Sequence, residues 1–307
     1  MTEKSKPEIS VCVCTYKRPA MLLKLLESLA KQTFPLEKFE VIVVDNDKSA
    51  SASHAILQTA QRYPALSVSY EIESTQGIAY ARNRTVELAI GSLLAFIDDD
   101  ELAICSWLSD MVESIRKFEV HAVLGPVIPQ YSEGTRAWVI KSGFFERPRF
   151  ATGTYIRSGI CRTGNALVKA CLVKSRQPSP FDARFAESGG EDVDLFRWLE
   201  NQGSKFVWCD KAEVCEVVPI ARQNLGYMLE RGLRVSVTYW QEVNCKRSKV
   251  SAFLEAMFGF GIGVIFAVWG LCVFPAGLHR TARSWVISAK GFGRVIALTD
   301  YRLAGYR

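Results

Sequence analysis

The chain has 307 residues, 49% of them hydrophobic, with nine cysteines, three histidines and a formal charge of +6. That length allows one large domain or two small ones. The small basic excess suits phosphorylated ligands or an anionic membrane surface and establishes neither; no nucleic-acid partner is expected. No cysteines form a C-x-x-C pair, and His54, His121 and His279 are scattered, which argues against a zinc site and for free thiols in a reducing compartment. The N-terminal MTEKSKPEIS is polar and lacks the apolar core of a signal peptide, so the bulk of the chain is expected in the cytosol.

Residues 9–14 (ISVCVC) form a β-branched run that reads as a first strand, followed by the loop TYKRP, with Pro19 suited to open a helix over 21–30. A second strand is expected at 39–44, ending at Asp45, Asn46 and Asp47, then a helix at 49–62 and a third strand at 66–72. Gly77 permits a sharp turn into a helix running to about residue 89, and 93–97 gives a fourth strand. That strand stops in Asp98, Asp99 and Asp100, followed by Glu101. Three adjacent acids repel one another unless a cation sits among them; the alternative is an acidic loop or a helix N-terminus. Strands alternating with helices imply βαβ units and a mainly parallel sheet, so the fold class is α/β. Thr15 with Arg18, Asp45 with Asn46, and 98–100 then meet at one edge, where such sheets bind ligands. There Asp45 is placed to accept hydrogen bonds from a nucleobase, although a helix cap or Asx-turn would also use it. Arg82, in GIAYARN, is placed to face a diphosphate or to brace Asp98.

The segments SVCVCTYKRP, VIVVDND, GIAYARN and FIDDDE, in this order, resemble the nucleotide-binding half of the inverting family 2 glycosyltransferases of GT-A fold, over roughly residues 8–225. The resemblance implies a Rossmann-like, mainly parallel mixed sheet with helices on both faces. It implies that Thr15, Arg18 and Asp45 contact the nucleoside, with Asn46, Arg82 and Asp99 in the same nucleotide-sugar site. Asp98 would meet the ribose or the metal, and Asp100 would bind Mn²⁺ or Mg²⁺ bridging the diphosphate, which neutralises charge on the leaving group.

Residues 122–128 read as a further strand, and 138–149 as either a flap over the nucleotide or a surface helix. RTGNALV at 162–168 resembles the family segment that lines the acceptor pocket, which points to Asn165. Glycines 189 and 190, then Glu191 and Asp192, precede a helical pattern; acids there suit a helix N-terminus. Inverting sugar transfer also needs a carboxylate to deprotonate the acceptor hydroxyl. GGEDVDL resembles the family motif whose Asp is that base, so Asp192 is the expected catalytic base, Glu191 its supporting or acceptor-binding neighbour, and Asp194 a lesser candidate. Strands are expected at 206–210 and 212–218, and a helix after Pro219 carries Arg222 and Arg231; the resemblance implies that an arginine of this segment closes on the phosphates, with a solvated basic helix as the alternative.

Composition changes at residue 246. A basic knot (KRSK) precedes 256–276, which has no charged residue and suffices to span a bilayer, to re-enter it, or to lie in its plane; a buried helix is the alternative. The expected organisation is a catalytic domain at 1–245, divided into a nucleotide-sugar half (8–125) and an acceptor half (126–245), and a membrane-associated tail at 246–307. The expected activity is metal-dependent transfer of one sugar, with a UDP-sugar as expected donor. The acceptor is a glycan, expected to be polyprenyl-diphosphate-linked, in exopolysaccharide or surface-glycan synthesis at the cytoplasmic face of the bacterial inner membrane. The rivals are a nucleotidyltransferase, which would normally carry a glycine-rich phosphate loop where TYKRP has none, and a catalytically silent membrane scaffold.

Overall fold

The computed structural model describes residues 6–186, 189–244 and 247–299. Glu187 and Ser188 ahead of the GGEDVDL motif, the Cys245–Lys246 junction expected to open the tail, and the terminal residues 1–5 and 300–307 lie outside them.

In chain order the first half runs β1 (Ile9–Thr15), α1 (Pro19–Leu29), β2 (Phe39–Asp45), α2 (Ser53–Arg62), β3 (Val68–Ile72), α3 (Ile78–Leu88), β4 (Leu93–Ile97), β5 (Glu101–Ala103) and α4 (Trp107–Lys117). It continues with β6 (Ala122–Leu124), β7 (Val127–Tyr131), α5 (Ala137–Ser142), β8 (Tyr155–Ile156), β9 (Asn165–Lys169), α6 (Ala170–Lys174), α7 (Glu191–Asn201), β10 (Phe206–Trp208) and β11 (Val214–Val218). Three long helices follow: α8 (Leu225–Asn244), α9 (Lys249–Cys272) and α10 (Leu278–Ile296).

The chain divides into two compact units. The first comprises Met1–Ile128, Arg147–Glu187 and Glu191–Glu216. It holds an eight-stranded sheet of order β3-β2-β1-β4-β9-β6-β10-β8. The strands β3, β2, β1 and β4 pair in parallel, whereas β9 runs antiparallel to both β4 and β6. Burial of both sheet faces explains the nearly all-apolar β1, β2 and β4. Leu22, Leu25, Leu26 and Leu29 of α1 pack on one face, and Ala79, Ala81 and Val86 of α3 on the other. One expectation is corrected here. The run at 122–128 is broken after Leu124 by Gly125 and Pro126 into β6 and β7, since proline has no N–H for the ladder. The acid triplet forms the turn between β4 and β5, and β5 pairs antiparallel with β11.

The second unit comprises Pro129–Glu146, Ser188–Gly190 and Val217–Arg307. Its three long helices pack side by side, with α10 against both α8 and α9. The segment at 138–149 contributes only the short α5, ended by Gly143 in a left-handed conformation. Helix α10 was not expected: four basic residues among 19 hide its apolar positions from a composition count.

Candidate active site

Parallel pairing sets the site. Thr15 and Asp45, the last residues of β1 and β2, lie opposite each other in register, and β4 runs beside β1, so its three aspartates emerge at the same edge. The convergence expected of these clusters is present. Asp99 turns inward, where its carboxylate accepts from the Thr15 hydroxyl at 2.8 Å and from Arg18 at 3.1 Å. Arg18 also reaches Asp100 at 3.2 Å. Burial raises the Asp99 carboxyl, with Arg18 and Thr15 opposing the shift. The Asp100 carboxyl is pushed up to about 6, chiefly by burial and then by repulsion from Asp98, Asp99 and Glu216. Asp98 is the outward member, with 44% of its side chain exposed.

Arg82 is the bridge. It sits on α3, one guanidinium nitrogen donating to Asp98 at 3.1 Å and another to Glu191 in the first turn of α7. Two acidic segments far apart in the chain thus share one buried cation. Glu191 is itself only 2% exposed, and its carboxyl is pushed up to about 7 by burial, against the pull of Arg82 and with help from Asp192 and Asp98. Asp192, the next residue, is half-buried, and one of its oxygens accepts the Val193 N–H at 2.7 Å. Asp194 points elsewhere: it pairs with Arg176 at 2.5 Å.

Asp45 and Asn46 each have partners within the protein. Asp45 is fully buried and accepts from the backbone N–H groups of Asp47 and Ala52 and from the Tyr70 hydroxyl, which ties the loop after β2 to α2 and β3. Asn46 donates to the carbonyls of Glu73 and Thr75 and accepts from the N–H of Gly77. Gly77 has φ +138°, a conformation that glycine adopts without strain, and a Cβ there would lie 2.6 Å from that of Ala186. Asn165, expected on the acceptor-pocket wall, is also internal. It accepts from the Trp107 indole N–H at 2.8 Å and donates to the carbonyls of Pro126 and Ala212.

Four residues at the site had no assigned role in the sequence. Glu101 is buried beneath the triplet and accepts the Asp98 N–H at 2.9 Å, while its other oxygen has no hydrogen-bond partner. Burial, then Asp98, raises its carboxyl well above the ordinary range. Gly164 explains how β9 passes so near: a Cβ there would stand 2.6 Å from Glu101 and 3.3 Å from Asp98. Arg147 pairs with Glu216 and carries positive charge toward Glu101 and Asp98. Glu101 was legible as the fourth acid of FIDDDE, whereas Arg147 and Glu216 carry no local signal.

Among the described residues, no three Asp, Glu, His or Cys side chains form a ready-made metal cage. The donor set nonetheless fits a hard divalent cation. Mg²⁺-like ions are usually held by one or two carboxylates plus substrate phosphates, and Asp98 and Asp100 offer hard oxygens where acids crowd one another.

The sequence matches the family described as "Glycosyl transferase family 2" over residues 10–170. It is 35% identical to the succinoglycan biosynthesis protein ExoM of Rhizobium meliloti (strain 1021) over 279 residues, 89% of this chain and 87% of that protein. The fold is similar to that of the mannosyltransferase PcManGT from Pyrobaculum calidifontis, solved with GDP-Man and Mn²⁺, with a TM-score of 0.66, 19% identity, and coverage of 96% of this chain and 88% of that one. It is also similar to residues 1–349 of S. aureus TarS, solved with UDP, with a TM-score of 0.53, 19% identity and coverage of 94% and 90%.

Proposed function

This chain belongs to glycosyl transferase family 2 and is a glycosyltransferase of GT-A fold, and we propose that it transfers one sugar, with inversion, from a nucleotide sugar to a glycan acceptor in the synthesis of an exopolysaccharide or other surface glycan. The observation that carries this reading is the Arg82 bridge, which joins the acids that end β4 to the acids that open α7. Asp98 and Asp100 would hold Mn²⁺ or Mg²⁺, which supplies positive charge to the departing nucleoside diphosphate. Thr15 and Arg18 fix Asp99 and thereby the backbone of the triplet. Asp45 and Asn46 act by holding the loops around the nucleoside, and Asn165 by holding β9 in place beneath the acceptor.

Asp192 takes the proton from the acceptor hydroxyl as its oxygen attacks C1; the bond from C1 to the diphosphate oxygen breaks on the opposite face. Arg82 holds Glu191, the residue just before Asp192. In this reading the donor is a UDP-sugar and the acceptor is polyprenyl-diphosphate-linked, met at the cytoplasmic face of a bacterial inner membrane. The likeness to a succinoglycan biosynthesis protein supports the pathway class, and the exposed apolar helix α9 supports the membrane. Residues 8–125 then serve the donor, 126–245 the acceptor, and 246–307 the membrane.

The test is thermal unfolding with UDP or GDP, with and without Mn²⁺, followed by a sugar-nucleotide hydrolysis screen. Stabilisation that requires both nucleotide and cation, and that Asp100→Asn abolishes, is expected. Pyrophosphate release from a nucleoside triphosphate would instead identify a nucleotidyltransferase and overturn the reading.

A further inference from the structure

Helix α9 has two unlike sides. One side is lined with small residues and is closed by α10: Gly291 lies against the backbone of Gly259 and Gly263, and Trp285 fills the space beside Gly270 and donates its indole N–H to the Ala267 carbonyl at 3.1 Å. The other side carries Leu254, Phe258, Ile265, Trp269 and Leu271, each more than half exposed, and only 22% of the most apolar stretch of the helix is buried. The two helices are antiparallel along their whole length, as the contacts 270 with 285, 263 with 292 and 259 with 294 require.

At 24 residues α9 is long enough to cross a bilayer. Its partner is not suited to go with it. Helix α10 exposes Arg283 and Lys290, carries Arg294 in an ion pair with Glu255, and buries Thr281, Ser284 and Ser288. On its far side α10 is fastened to α8, where the Ser236 hydroxyl donates to the Lys290 carbonyl at 2.6 Å and Gly293 lies against Ser236. A crossing α9 would either draw those charges into hydrocarbon or tear away from α10 and expose its glycine seam.

Charge favours an anionic lipid surface as the occupant of the open side. Arg247 and Lys249 are exposed before and at the start of α9, and Arg280 just after it. The helix's single acid, Glu255, is engaged by Arg247 and Arg294 at 3.5 Å each. Basic ends suit a spanning helix as well as an in-plane one; what favours the in-plane arrangement is the charge-bearing α10 packed along α9.

We propose that α9 lies in the plane of a membrane, its open face seated in one anionic leaflet, and that the C-terminus stays on the same side of that membrane as the N-terminus. This deepens the membrane part of the proposed function and rests on it, but not on the chemistry of the acceptor. The test uses the full chain with a tag at each end. Protease added to inverted membrane vesicles should remove both tags, and protease added to right-side-out vesicles should remove neither. The purified protein should float with vesicles containing phosphatidylserine or phosphatidylglycerol. Lys249→Glu and Arg280→Glu should each weaken that binding by about fivefold, and Phe258→Glu with Ile265→Glu should abolish it. Stabilisation by nucleotide and Mn²⁺ serves as the check on folding of each variant. Tags cut from opposite sides would establish a single span and overturn the proposal while leaving membrane attachment intact. Absence of flotation with an α9-dependent dimer in solution would assign the face to a second copy. Absence of flotation without such a dimer would overturn both membrane attachment and the proposal, and would leave the transferase reading standing.

Discussion

Arg82 is the residue on which the site turns, because it is the cation between Asp98 and Glu191. Removing one partner of a buried pair leaves the other uncompensated, at a cost of about 3–5 kcal/mol. Arg82→Leu is therefore expected to lower the unfolding free energy by about 3 kcal/mol, less at pH 5, where Glu191 can take up a proton, than at pH 8; denaturant titration at the two pH values measures this. The sign for Glu191 follows from its own shift. Its folded-state carboxyl titrates above the ordinary value of 4.5, near 7, so its contribution to stability is full below 4.5 and is lost as pH rises through 7. Glu191→Gln cannot lose that contribution, so its melting temperature relative to the native chain should climb between pH 4.5 and 7 and level off above. A difference that is flat with pH would mean that burial does not shift this carboxyl.

At the scale of elements, strand runs and helix spacing were legible because burial writes them into the sequence. The apolar β1, β2 and β4, and the leucine face of α1, emerge where the pattern placed them. The edge at which Thr15, Asp45 and Asp98 gather was legible for the same reason, since successive parallel strands end on one side. What the pattern could not give was the use of each polar group. Asp45, Asn46 and Asn165, ligand-binding residues by type and position, also bond neighbouring backbone that only the folded chain brings near. The pairing of Arg147 with Glu216 and the closeness of Gly164 to Glu101 are likewise set by tertiary approach alone. Asn165 gives this a measurable form. Asn165→Leu would leave the Trp107 N–H and the Pro126 and Ala212 carbonyls without partners in the core, and should cost about 2–4 kcal/mol in chemical denaturation. A change under about 0.5 kcal/mol would mean that these bonds do not hold β9.

At the scale of the molecule, each unit keeps its own logic: the first gathers charge at the end of a sheet, and the second stacks helices around a seam of small residues. The central claim concerns the first, that acids from two distant segments serve a single reaction. The most direct measurement is single-turnover sugar transfer by Asp192→Asn, alongside calorimetry of nucleotide-sugar binding in the presence of Mn²⁺. The account predicts binding within about twofold of the native chain, as no donor contact is removed, and transfer slowed by about 10²–10⁴-fold through loss of the general base. Transfer at the native rate by Asp192→Asn would contradict it.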